Sequence, residues 1–148
     1  KKVRAVLACS LLLSNYILRG GKKLIIVFDS KTGNVRRFID CLGLPATHIR
    51  DIHEPVNEPF ILVTYTTGFG NVPPTTLEFL KSNHINLQGV AASGNKIWGD
   101  NFAISADIIS KTYGIPILHK FEMSGMPEDV EFLKERVQNI SYETYRVK

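Results

Sequence analysis

The sequence predicts a three-layer α/β domain, a parallel β-sheet with helices packed on both of its faces. Three observations carry that expectation. Leu24–Phe28 and Phe60–Tyr65 are near-continuous apolar runs rich in β-branched residues, the pattern of strands buried on both sides. Strand-like and helix-like segments alternate along the chain, which calls for parallel strands joined by right-handed crossovers. The segments leaving three of the strands, Ser30–Asn34, Thr66–Asn71 and Gly94–Asp100, are rich in glycine, hydroxyl and amide groups. Loops at the carboxyl edge of such a sheet converge where the strand order reverses, and ligands bind there.

Each element has its own signal. After the first strand, Val35, Phe38, Ile39 and Leu42 recur at helical spacing and make one apolar stripe, ended by Gly43 and Pro45. Ala46–Ile49 suits a short second strand, and the polar stretch Arg50–Glu58, with Pro55 inside it, suits a loop. The Phe60–Tyr65 strand leads to Pro73-Pro74, which fits a helix first turn, with Leu77 and Leu80 as its buried side. A turn near Asn83–Asn86 precedes a strand of small residues, Val90–Ser93. Phe102, Ala106, Ile109 and Tyr113 mark a third helix closed by Gly114, and a last strand runs from Ile117 to about Met123. Pro127, followed by Glu128 and Asp129, opens a final helix whose inner face is Val130, Leu133, Val137 and Ile140.

Composition narrows the function. A chain of 148 residues, 44% hydrophobic and 22% charged, is most economically one domain. The formal charge of +4 is concentrated in residues 1–23, which hold six basic residues and no acid, leaving twelve basic against fourteen acidic residues in the body. No basic face for nucleic acid is implied. Residues 1–23 have the outline of a leader, but their apolar run is short for a membrane span and is broken by Ser10, Ser14 and Asn15. We expect an extension that is either an added helix or sequence foreign to the working domain, which then spans 24–148. Cys9 and Cys41 make no disulfide framework, so a reducing, cytoplasmic setting is expected. His48, His53, His84 and His119 are scattered without metal-ligand spacing, and no metal site is expected.

The first loop joins a strand to a helix start, where unpaired N–H groups and the helix dipole favour a phosphate. Ser30 and Thr32 either add hydroxyl bonds to such an anion or cap the helix. Gly68 and Gly70 flank Phe69 and allow a peptide between them to reorient. Phe69 is either a ring contact or an exposed loop residue, and Trp98 either borders a ligand or packs at an edge. Phosphate donors at one end and aromatics at the other suit flavin mononucleotide (FMN). Other nucleotide folds lose their mechanism: there is no GxGxxG after the first strand, no GxxxxGK[ST], no aspartate at the end of the central strand, and no arginine six residues after either cysteine.

Three stretches together closely resemble the NrdI family, the small flavodoxin-like proteins that accompany class Ib ribonucleotide reductase. They are Ser30-Lys31-Thr32-Gly33-Asn34-Val35, Thr64 to Pro73 (TYTTGFGNVP), and Ala92-Ser93-Gly94-Asn95 with Trp98-Gly99-Asp100. The likeness covers about Leu24–Ile140. It implies a flavodoxin-like three-layer sandwich with a five-stranded parallel sheet of order 2-1-3-4-5. It also implies an FMN protein whose reduced flavin reacts with oxygen to give superoxide or a hydroperoxide-level oxidant. That oxidant serves the dimanganese, radical-bearing small subunit, and an unidentified flavin reductase supplies the electrons. By position, Ser30, Lys31, Thr32, Gly33, Asn34 and Val35 form the phosphate loop. Thr66, Thr67, Gly68, Phe69, Gly70 and Asn71 form the loop that rearranges beside the flavin edge, and Gly94, Asn95, Trp98 and Gly99 border the ring. The resemblance requires no acid–base catalyst, no nucleic acid and no membrane, and Lys96 is expected near the ring. Val35 stands where ordinary flavodoxins usually carry threonine, and residues 1–23 precede the usual family start. The rival expectations are a general flavodoxin electron carrier and a cofactor-free interaction module of the same fold.

Overall fold

The computed structural model describes residues 24–146, with side chains through Ile140; the 1–23 extension lies outside the described residues. The strands are β1 (Ile25–Phe28), β2 (Ala46–His48), β3 (Phe60–Tyr65), β4 (Leu87–Gly94) and β5 (Ile117–Glu122). The helices are α1 (Asn34–Leu42), α2 (Pro74–Asn83), α3 (Ile104–Tyr113) and α4 (Pro127–Arg146). Short 3-10 turns lie at Ile49–Asp51, His84–Asn86 and Lys96–Asn101 among the described residues.

All strand pairs are parallel and the sheet order is β2-β1-β3-β4-β5. The chain moves outward from β1 to β2, then returns past β1 to β3. The order therefore reverses between β1 and β3, and their two exit loops part there to leave a crevice.

Alternate residues of the central strands feed two cores. Ile26, Phe28, Ile61 and Val63 face α1 and α4, meeting Val35, Phe38, Leu42, Leu133 and Val137. Val27, Phe60, Leu62, Val90 and Ala92 face α2 and α3, meeting Leu80, Ala106 and Ile109. Phe38 and Phe121 stack with centroids 3.9 Å apart, and Gly125 turns beside them at φ 76° where a Cβ would lie 2.7 Å from the Phe38 ring.

Three elements differ from the sequence expectation. Strand β4 starts at Leu87 rather than Val90, because Gly89 leaves room for Leu118, whose Cδ1 would be 2.9 Å from any Cβ there. Helix α2 buries Thr76 and Leu80 while Leu77 is exposed. The helix is turned by the bonds of Thr76 to Asp29 and Thr64 described below. Helix α3 starts at Ile104, after Phe102 and a left-handed Ala103 at φ 49°.

The first turn of α4 is held by Asp129. Its Oδ2 accepts the Met126 N–H at 2.7 Å, and its Oδ1 lies 2.6 Å from His119 Nε2. Burial works against ionisation, but the bonds from His119 and the Met126 N–H outweigh it, so the carboxyl titrates below its ordinary range. A carboxylate with a depressed folded pKa adds stability above its unfolded pKa, and that contribution fades as pH falls through the folded value. Asp129→Asn should therefore cost about 1 kcal/mol in urea unfolding at neutral pH. The gap to the parent should close as pH is lowered below about 4. A gap that persists undiminished in acid would assign the effect to packing.

Candidate functional site

The rim of the sheet is built on a buried carboxylate. Asp29 directly follows β1, its N–H bonds Val63 O at 3.0 Å, and its Oδ2 accepts the hydroxyls of Thr75 at 2.5 Å and Thr76 at 2.7 Å. Thr76 also meets Thr64 Oγ1 at 2.8 Å. Both threonines lie in the first turn of α2, where the helix dipole favours a negative charge. The acid is thus turned away from the crevice and toward α2.

The next residues form the start of α1. Ser30 Oγ accepts the Arg36 N–H at 3.2 Å, so the capping alternative is realised for this side chain, while its hydroxyl proton remains free to donate outward. Gly33 stands at the N-cap with φ 95°, a conformation that costs glycine little. The N–H groups of Gly33, Asn34 and Val35 have no acceptor among the described residues. The Val35 side chain is fully buried in the core, so only its backbone faces the loop. Asn34 is fixed from behind, its Oδ1 accepting from Arg37 Nη2 at 2.7 Å and Ser124 Oγ at 2.9 Å.

The second loop closes on itself. Thr67 and Asn71 exchange backbone bonds of 2.9 and 2.8 Å, with Gly68 at φ 57° and Gly70 at φ 114° and Phe69 at the tip, 82% exposed. Behind it, Thr66 bonds Ser93 O through its N–H and meets Ser105 Oγ through its hydroxyl at 2.9 Å. The third loop is a 3-10 segment capped by Asn95 Oδ1, which accepts the Ile97 N–H, and broken at Gly99 (φ 56°, ψ −119°). Trp98 is 47% exposed and its ring meets Phe69 edge-on at 5.6 Å. Gly94 is required here, because a Cβ would sit 2.5 Å from the Ala103 nitrogen.

These loops surround one cavity of about 340 Å³, within the range of small-molecule sites. Ser30, Lys31, Thr32, Asn34 and Val35 line one end. Thr66, Thr67, Gly68 and Gly70 line a side, and Gly94, Asn95 and Trp98 close the other end. Thr32 and Trp98 therefore open on the same space. Gly33, Phe69, Asn71 and Gly99 shape the loops without lining the cavity. Lys96 lies outside it, in an adjoining groove with Glu122 and Asp129, and its N–H bonds Glu122 Oε2 at 3.0 Å. The expected approach of Lys96 to the ring space is thus not seen, because the 3-10 segment turns it toward β5.

Five residues reach the cavity that sequence reasoning missed: Tyr65, Ser93, Asn101, Ala103 and Met123. Tyr65 ends β3 and Ser93 is the next-to-last residue of β4, strands already in view. Met123 belongs to a fourth outlet, Met123–Met126, whose signal was Gly125 just before the helix-opening Pro127. Burial, followed by the negative charge of Asp29, raises the Tyr65 hydroxyl above its ordinary pKa, against a bond with Thr75 that lowers it. No carboxylate lines the cavity, and Lys31 is its one cation among the described residues. Among those residues no helix is long and apolar enough to cross a membrane, and no group of three or more metal-ligating side chains is clustered.

Comparison with known proteins agrees with this architecture. The profile of the NrdI flavodoxin-like family matches residues 26–135. Protein NrdI of Bacillus licheniformis is 56% identical over 115 residues, spanning 78% of this chain and 88% of that protein. Protein NrdI of Macrococcus caseolyticus is 46% identical over 118 residues, spanning 80% and 92%. In structure, oxidised flavodoxin 1 from Bacillus cereus superposes with a TM-score of 0.59 at 20% identity, covering 79% of this chain and 95% of that one, which is a likeness of fold. With three loops meeting at one crevice and relatives of this identity along most of its length, the chain belongs to the NrdI flavodoxin-like family.

Proposed function

We propose that residues 24–148 form an FMN-binding domain in the cytoplasm that supplies oxidant to class Ib ribonucleotide reductase. The partner is the small subunit, whose manganese(III) and tyrosyl-radical cofactor the oxidant assembles, and a flavin reductase provides the electrons. The observation that supports this most directly is the joint geometry of the cavity in a chain of this family. Asn34 and Val35, whose N–H groups, like that of the N-cap Gly33 beside them, have no acceptor among the described residues, line one end and Trp98 the other, with no carboxylate in the lining.

FMN, when bound, would supply the electron transfer to oxygen. The chain's residues would do the rest. Main-chain amides at the α1 N-terminus, with Ser30, Thr32 and Lys31, would hold the phosphate dianion. Gly68 and Gly70 would let the tip of the second loop reorient beside the flavin edge. The exclusion of acidic side chains from the cavity would spare both the phosphate and an anionic reduced ring from repulsion. Phe69 and Trp98, exposed and in edge-on contact, with the exposed Ile97 next to Trp98 in the chain, would give the small subunit an apolar surface.

Two measurements test this. In FMN titrations followed by flavin fluorescence, Thr32→Ala should weaken binding about tenfold, the loss of one hydrogen bond to a charged group. An unchanged affinity would remove the Thr32 hydroxyl from the phosphate site. When the reduced, FMN-loaded protein is mixed with oxygen and a small subunit preloaded with manganese(II), the tyrosyl radical should form. Reoxidation without radical formation would favour the electron-carrier reading, and a chain that refuses FMN would reject both.

A further inference from the structure

Both methionines of the chain, Met123 and Met126, lie in the four-residue loop between β5 and α4. Their placements differ. Met123 lines the cavity, whereas Met126 does not, although Met126 is the more exposed of the two at 63% against 44%. Met123 holds φ 53°, a left-handed conformation rarely kept by a side chain with a Cβ. Two bonds impose it: its N–H donates to Gly94 O at 3.0 Å, and its carbonyl accepts the Ser93 hydroxyl at 2.6 Å. With its backbone pinned on both sides, the side chain crosses toward the phosphate loop, where Sδ lies 3.9 Å from Asn34 Nδ2. The thioether is therefore held along the wall of the cavity, between the loop that borders Trp98 and the start of α1.

The geometry points to Met123 as a site of self-inflicted sulfoxidation, modified by hydroperoxide made in its own cavity. This rests on the function proposed above, which supplies the oxidant: two electrons and one proton from the anionic reduced flavin, with a second proton taken from solvent, convert oxygen to hydrogen peroxide. A sulfur lone pair of Met123 attacks one peroxide oxygen, the O–O bond breaks, an S–O bond forms, and water leaves. Sulfur is oxidised by two electrons and the peroxide is reduced by two. Thioethers are soft, polarizable groups suited to that attack, and peroxide released into the cavity that Met123 lines meets this sulfur at a local concentration above its bulk value. The product is a polar, chiral side chain in place of an apolar one, placed between Asn34 and the Gly94 loop. It weakens the grip on the flavin until a methionine sulfoxide reductase restores the thioether.

Exposure and position rank the two methionines oppositely, so their ratio is the test. The FMN-loaded full chain is photoreduced without air and reoxidised with air through repeated cycles, with catalase present to remove peroxide that escapes. Oxygen uptake is recorded in the same samples. The tryptic peptide from Phe121 to Lys134 carries both methionines, and fragment ions assign each added oxygen to Met123 or Met126. Oxidised FMN-loaded protein treated with reagent hydrogen peroxide gives the comparison. Met123 sulfoxide should exceed Met126 sulfoxide at least about fivefold in the cycled sample, and the preference should reverse with reagent peroxide. Oxygen uptake with Met126 equal or ahead, with neither methionine modified, or with Met123 also preferred by reagent peroxide would overturn the inference alone. No oxygen uptake by the reduced protein would overturn the proposed function, and this inference with it.

Discussion

A carboxylate buried at the end of β1 meets two threonine hydroxyls in the first turn of α2, and the geometry of the whole rim follows from that contact. Through Thr75 and Thr76 it ties β1 to α2, and through Thr64 it reaches β3, so the two strands that part at the crevice are clamped together. Removing either partner would leave a buried polar group short of a bond, at a cost of about 1–3 kcal/mol. The same contact turns the negative charge of Asp29 away from the loop that begins at Ser30. A phosphate-binding turn next to an outward-facing carboxylate would repel its ligand; here the acid is spent on architecture.

The remaining rim is held by similar polar ties. Arg37, Asn34 and Ser124 join α1 to the loop before α4. Thr66 and Ser105 join the second loop to α3, and Ser93 holds Met123. These ties occupy the side chains of Asn34, Thr66 and Ser93 at the cavity wall and leave the N–H groups at the start of α1 without an acceptor among the described residues. Rigidity comes from behind, and the face toward the cavity is left with neutral groups, one lysine and the Trp98 ring.

Much of this was legible in the chain because it depends on local pattern. The stripe Val35, Phe38, Ile39 and Leu42 reads as a helix from spacing alone, and the buried strands read from their unbroken apolar runs. Three of the four rim loops announced themselves through glycine and hydroxyl residues. What was not legible depends on distant partners. Helical spacing made Leu77 a core residue, but α2 is turned by the bond of Thr76 to Asp29, forty-seven positions away. The start of α3 is displaced because Ala103 must pass under Gly94, a close approach with no local signature. Met123 reads as the end of an apolar strand, and only the register of β4 against β5 brings it to the cavity wall.

The central claim is that main-chain amides grip a phosphate while the chain's single tryptophan borders the ring of the same molecule. The most direct measurement is a ¹H–¹⁵N correlation spectrum recorded as FMN is added. The amide signals of Gly33, Asn34 and Val35 and the indole signal of Trp98 should move together, with one saturation point. Movement of Trp98 without the three amides, or saturation at different FMN concentrations, would contradict the claim.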